Sequence, residues 1–420
     1  MFADTETPTQ APVFAPNETH PQIAQPLFNQ PELNSSWCPP SISLTLDTPY
    51  TYPMLDFQNR QGDKELYILN RAMNNGGVTK LTLGTQFRVS GLVAKTNEAN
   101  RFSYLGRFPT DFTGEYASDF RLLQANQNLT ADINNFVHGY VETLFSDVFS
   151  FADFKQGSFQ VRQAYVVFGD LAKSPFYAFI GKKNISFGDF STLSPFTQAV
   201  PWHYFAPLAE GAGVGFNNGR IIATATALNG SRGIRVVDSE NPGDINNFAL
   251  NVLYRDQIDE DTRFQIGAGY LDGTIYNANV AEHLDASLFG PNNGAFDLNA
   301  QYHSGRFHFA GEYLQTLDPW PVTNHDVIAY SAEAAMDTCF YGKPARASIS
   351  WSEGIQGEAG TPWEFNRQLV VGYRVQPSYN TMFSVEYVRG AGFAPLINIT
   401  RVSSADATQD TIVFGGVIAL

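Results

Sequence analysis

The sequence predicts an all-β outer-membrane protein, a sixteen-stranded antiparallel transmembrane β-barrel preceded by a proline-rich N-terminal periplasmic arm. Three observations carry that prediction. First, four successive segments open with phenylalanine and close with tyrosine six residues on: FALNVLY (Phe248–Tyr254), FQIGAGY (Phe264–Tyr270), FDLNAQY (Phe296–Tyr302) and FHFAGEY (Phe307–Tyr313). Between the rings one parity is apolar (Leu250, Val252, Ile266, Leu298, Phe309) and the other mostly polar or small (Asn251, Gln265, Asn299, Glu312). A two-residue period means β-strand, and apolar middles between aromatic ends suit a strand with lipid on one face and water on the other. Second, short and long connections alternate along the chain, as they do in outer-membrane barrels. Third, only 16% of the 420 residues are charged, against roughly 25% in average soluble domains. Yet no run of about 18 apolar residues offers a transmembrane helix.

Residues 1 to 53 hold ten of the 23 prolines among Thr, Gln, Asn and Glu, a composition that favours extended chain over a packed core. Residues 63–73 (DKELYILNRAM) predict one short helix ended by Asn74-Asn75-Gly76-Gly77. The arm thus covers 1–77 and the barrel 78–420. Strand candidates fall near 78–90, 121–133, 136–145, 159–168, 176–182, 211–217 and 220–228. The four aromatic-ended segments follow, then strands near 327–337, 345–352, 367–375, 381–389 and 410–420. Asn134-Asn135 and Asn217-Asn218-Gly219 are hairpin signals. With short turns on the periplasmic side, both ends of the barrel fall there. Rings six residues apart span only about 20 Å, so some are expected within the apolar band rather than at its edges. A secreted β-sandwich also alternates, but it does not call for polar inward positions together with alternating connection lengths.

A barrel must be exported, and the opening FADTETPTQ after Met1 lacks a basic start and an apolar core. The numbering is therefore expected to begin at the mature chain. The net charge of −15 argues against nucleic acid, which needs clustered Lys and Arg. No hydrolase elbow, phosphate-binding glycine loop or Cys/His metal spacing appears, so neither an enzyme nor a cofactor is expected. His303 and His308 straddle a turn and read as rim residues. The expected partners are the outer-membrane bilayer and a small solute, with the barrel a monomer or a trimer.

The two cysteines, Cys38 in the arm and Cys339 in a short turn, both fall on the periplasmic side, where disulfides form. A Cys38–Cys339 bond is expected, and closing so long a loop would contribute about 4–5 kcal/mol by chain entropy. On the inward parity, Lys80, Arg88, Arg162 and Lys182 form a basic wall, and Glu312, Glu333 and Glu386 an acidic one. Opposed walls set a transverse field that orients dipolar solutes and favours anions on the basic side; alternatively, these charges solvate the interior or pair. The loop at 183–210 carries Phe187, Phe190, Phe196, Trp202, His203, Tyr204 and Phe205. So many rings are unusual on an exposed loop, and folding inward to narrow the pore would bury them.

LTLGTQFRVSG at 81–91, FIGKKNISFGDF at 179–190 and FGGVIAL at 414–420 give the chain a layout that resembles siderophore porins of the legiobactin-receptor type. That resemblance implies uptake of an iron chelate through a barrel without a large plug domain; no binding residue carries over from the family, and on the residues themselves the chelate is expected to be steered by the basic wall and held near Trp202 and Tyr204. A proline-rich arm replaces the coiled-coil-like helix of that family, and Leu420 replaces its terminal aromatic residue. Two other readings stand beside it: a diffusion porin for small anionic or apolar solutes, and an adhesive or structural barrel whose lumen the arm blocks.

Overall fold

The computed structural model describes residues 43–73, 79–102, 113–146, 158–229, 245–276, 292–358, 365–392 and 406–420. Ser41–Leu420 form one compact unit. It opens with strand β1 (Ser43–Leu46) and helices α1 (Thr48–Leu55) and α2 (Lys64–Ala72). The barrel then runs through β2 (Lys80–Thr96), β3 (Tyr116–Asp132), β4 (Val137–Ser146), β5 (Ser158–Phe168), β6 (Phe176–Asn184), β7 (Leu208–Asn217), β8 (Ile221–Asn229) and β9 (Ile245–Gln257). It continues with β10 (Thr262–Leu271), β11 (Ala295–Ser304), β12 (Phe307–Thr316), β13 (Ile328–Phe340), β14 (Lys343–Ile355), β15 (Phe365–Ser378), β16 (Thr381–Gly392) and β17 (Thr408–Ala419). Helix α3 (Val200–Phe205) lies in the loop between β6 and β7.

All sixteen expected barrel strands are present. Each pairs antiparallel with the next, and β17 closes the ring on β2, from Gln409 opposite Thr96 to Ala419 opposite Gln86. Closure satisfies every ladder, the condition for strands in hydrocarbon. Several strands outrun the sequence expectation: β2 reaches Thr96, β3 begins at Tyr116, and β9 spans Ile245–Gln257. The aromatic ends therefore lie inside longer strands, where they pair across the sheet. Phe248 meets Tyr270 at 5.4 Å and Phe296 meets Tyr313 at 6.0 Å in one row; Tyr254 meets Phe264 at 5.8 Å and Tyr302 meets Phe309 at 6.5 Å in the other. Tyrosine hydroxyls reach polar residues two positions on, Tyr254 to Asp256 (2.9 Å) and Tyr313 to Gln315 (2.8 Å), so each ring is apolar toward the band and polar at its tip. Between the rows Leu250, Val252, Ile266 and Leu298 are 45–54% exposed, an apolar belt that lipid must cover.

The bore is not empty. Residues 43–73, expected as part of a periplasmic arm lying under or into the barrel mouth, extend the wall through β1 and put helices α1 and α2 inside the bore. Strand β1 runs parallel to the start of β2, Ser43 opposite Lys80 through Leu46 opposite Leu83, along the edge that β17 leaves uncovered. Helix α1 starts at Asp47, whose carboxylate accepts from the Tyr50 N–H (3.1 Å), with Pro49 in its first turn. The helix expected over 63–73 is α2, with Glu65 in its first turn and Arg71 in its last, each complementing the helix dipole. Its Leu66, Ile68 and Leu69 bury against Tyr140, Tyr165, Tyr177 and Phe179 of the barrel wall. Gly215, opposite Tyr177 in register, leaves the space that the Tyr177 ring occupies.

The cysteine expectation is overturned. Cys339 is a free, exposed thiol at the short-turn end of β13, so the Cys38–Cys339 bond is not formed. Cys38 itself, with residues 1–42, lies outside the described residues.

Candidate functional site

The β6–β7 loop enters the bore, and three wall glutamates hold it there. Glu312 accepts from the main-chain N–H groups of Asp189 (2.8 Å) and Phe190 (3.0 Å). Glu333 accepts from the Leu193 N–H (2.6 Å) and the Thr192 hydroxyl (2.8 Å). Glu386 accepts from the N–H groups of Phe196 (2.7 Å) and Thr197 (3.0 Å), and from the Thr197 hydroxyl (2.5 Å). Charge-assisted bonds of this kind are among the stronger ones. The acidic side chains expected to form one wall of an open lumen are thus brackets for the loop. Asp189, on the loop, accepts from Ser191 Oγ (2.9 Å) and from Gln301. Burial raises its carboxyl above the usual range, and those two bonds oppose the rise.

Loop and N-terminal segment also grip each other. Gln58 Nε2 donates to the Ser194 carbonyl (3.0 Å) and Gln61 Nε2 to the Pro207 carbonyl (2.9 Å). Gln198 Nε2 donates to the Phe57 carbonyl. Three ion pairs fasten the segment to the wall: Arg71–Asp132 at 2.6 Å, Arg60–Glu142 at 3.4 Å and Lys183–Glu65 at 2.5 Å. Burial pushes the Glu65 carboxyl upward, and the Lys183 ammonium counters it.

Of the predicted basic wall, Arg88 lies deepest. It is 3% exposed, and its guanidinium packs between the Phe57 ring (4.0 Å) and the Phe196 ring (4.4 Å). Nη2 donates to the Phe196 carbonyl (3.0 Å), while Nε and Nη1 have no protein partner. Arg162 also turns inward, but by an irregularity: Glu142 pairs with Gln163 and Thr143 with Val161, so Arg162 is the extra residue of a bulge. The bulge re-aims it, placing Nε 3.9 Å from Glu142 and Nη2 3.3 Å from Asn184 Oδ1. Lys182 is a correction. Tyr177, Phe179 and Lys183 share the inward parity and are buried, so Lys182 faces outward. Lys80 stands at the start of β2 opposite Ser43 and Asp132, away from Arg88.

Arg88, Phe57, Phe196, Gln198, Trp202 and His203 border a tight recess of about 40 Å³ on the outer side of the loop. The Trp202 ring lies 5.6 Å from Phe57 and 5.0 Å from His203. Tyr204 does not join them; it fills the space over Gly354 and stacks 6.5 Å from Tyr276. A second, wider recess, about 630 Å³, lies on the short-turn side, bordered by Ser191, Leu193, Arg255, Arg263, Gln301 and His303. Residues 191–198 therefore separate two chambers. Sequence reasoning missed Phe57, Lys183, Arg255 and Arg263. The last two were accessible, because they share the inward parity of Asn251 and Gln265.

No family model and no curated protein matches the sequence. Solved structures do share its architecture. The anion-selective porin from Comamonas acidovorans aligns with a TM-score of 0.54 at 11% identity, covering 81% of this chain and 100% of that one. The outer-membrane channel DcaP of Acinetobacter baumannii gives 0.53 at 10% identity over 81% and 97%. A loop-deleted OmpT of Vibrio cholerae gives 0.52 at 12% identity over 81% and 99%. The fold is that of an outer-membrane porin. These structures are porins and outer-membrane channels, which overturns the resemblance to siderophore porins; they lend the iron-uptake reading no support, and the segments that carried the resemblance serve structural ends here. In GKKN, Lys183 pairs with Glu65; Gly84 of LTLGTQFRVSG makes room for Thr51, and Gly415 of FGGVIAL for Phe196.

Proposed function

We propose that this chain is an outer-membrane diffusion porin for small solutes, with a narrowed bore that favours anions carrying a planar or apolar body. One observation carries the reading: the Arg88 guanidinium, clamped between two rings at the border of the outer recess, with two N–H donors that no protein group uses. A buried cation with free donors attracts an anion strongly where the local dielectric is low. The rings and Trp202 offer apolar surface to the rest of the solute. Arg255 and Arg263 border the recess on the way out and would add to the attraction there. Phe196, Trp202 and His203 shape the recess; Tyr204 supports them from behind.

Planar-bilayer recordings test this. Discrete channels with a reversal potential favouring chloride over potassium are expected, and benzoate should block the current reversibly at the outer face. Arg88→Gln should bring the chloride-to-potassium ratio toward unity and weaken the block about tenfold, the loss of one charge-assisted contact. A channel whose selectivity is unchanged by Arg88→Gln would remove that residue from the proposal.

The filled bore favours a second reading, a barrel closed to solutes whose outer loops meet a partner. Bilayers loaded with verified folded protein that pass no current under any condition would favour it.

A further inference from the structure

We propose that residues 43–73 form a releasable plug, and that the barrel reaches its full conductance only when this segment withdraws toward the short-turn end. The inference goes beyond the diffusion reading, and three sets of observations carry it. The first is topological. The segment enters beside Lys80–Leu83 through β1 and leaves at Met73, six residues before Thr79 resumes the described chain at the same end of β2. A hairpin inserted and removed through one mouth never has to thread the barrel.

The second is the chemistry of the fastening. Arg71–Asp132, Arg60–Glu142 and Lys183–Glu65 are buried pairs. Desolvation consumes much of the attraction in such pairs. When the plug leaves, both partners of every pair meet water together, so none is stranded in a dry interior.

The third is the wall behind the plug. Asn126 Oδ1, beside the Arg60–Glu142 pair, and the hydroxyls of Tyr165 and Tyr177, whose rings pack with α2, are buried in the filled bore with no protein partner. A permanently covered wall pairs its polar groups or omits them, because each one left over costs about 1–3 kcal/mol. The same residues are an ordinary lining for a water-filled channel. Tyrosine where phenylalanine would serve a dry contact points the same way. The wall is therefore suited to two conditions, one against the α2 side chains and one against water.

The test uses the full chain with Cys38→Ser and Cys339→Ser as background. A side chain added at Gly84 would meet Thr51 of α1, so Thr51→Cys with Gly84→Cys places two thiols within reach of a bond. Oxidised channels should stay at a low conductance level, and dithiothreitol should release openings several-fold larger in the same bilayer. Independently, Glu65→Gln with Asp132→Asn should raise the fraction of time spent at the larger level. Equal conductance in oxidised, reduced and loosened channels, with anion preference intact, would overturn the plug and leave the diffusion reading standing. Silence in all of them, with each shown folded by heat-modifiable migration, would overturn both.

Discussion

At the scale of single residues, the side chains predicted to face the bore mostly do so, but for reasons the alternation of the sequence does not contain. Glu312, Glu333 and Glu386 were readable as inward from their strands, whereas their task required knowing that main-chain N–H groups of a distant loop would arrive opposite them. Glu386→Ala strips three donors of their acceptor. At about 1–3 kcal/mol for each buried group left unpaired, the loop around Phe196 should loosen. Faster proteolytic cleavage between residues 190 and 200 and noisier single-channel current are the expected readouts; Glu386→Gln, which keeps one acceptor oxygen, should fall between. Arg162 shows the limit from the other side. Its inward aim comes from an extra residue in β5, so simple alternation assigned the right face through the wrong parity. Lys182 departs from the inward face because the rule that apolar residues point outward does not hold in β6. Beside the plug the bore is lined by Tyr140, Tyr165, Tyr177 and Phe179, and there apolar means inward.

Among the elements, the strands with aromatic ends were the most legible, since lipid on one side and polar groups on the other impose the period directly. Helix α2 was legible from its ending in Asn and Gly. Its destination was not, because nothing local distinguishes a helix that packs inside a barrel from one beneath it; for the same reason Phe57 escaped notice as half of the clamp on Arg88. The β6–β7 pair records the plug in its own composition, with Gly215 facing Tyr177 across the ladder. Gly215→Ala would drive a methyl group into that ring, an overpacking defect of about 1–3 kcal/mol. A lower unfolding temperature by heat-modifiable migration is expected. Adding Tyr177→Leu should recover most of the loss, and an additive double variant would show that the ring and the glycine are independent.

For the whole molecule, the sidedness inferred from turn lengths is open to a direct check through Cys339. It is exposed at the short-turn end, so a membrane-impermeant maleimide should label it in the purified barrel. Intact cells should show little labelling until the outer membrane is permeabilised. Strong labelling of intact cells would invert the orientation, and with it the direction in which the plug withdraws. The number of strands and the closure of the ring were available from periodicity alone, because a barrel leaves the same two-residue signature on every strand. What fills the ring depends on contacts between residues more than a hundred positions apart, such as Lys183 with Glu65, and no period records those.

The bracketing of the loop has a consequence for how such a protein can change. Glu312 and Glu386 take hold of peptide N–H groups, which every amino acid but proline supplies, and Glu333 takes hold of one at Leu193. The cradle therefore reads the path of the chain and is nearly blind to its spelling. Apart from Thr192 and Thr197, whose hydroxyls the glutamates also hold, and Phe196, for which Gly415 makes room, side chains at 190–198 could be exchanged while the scaffold keeps its grip. New solute preferences are then within reach of a few substitutions, or of a transplanted segment of equal length, with the cylinder left untouched.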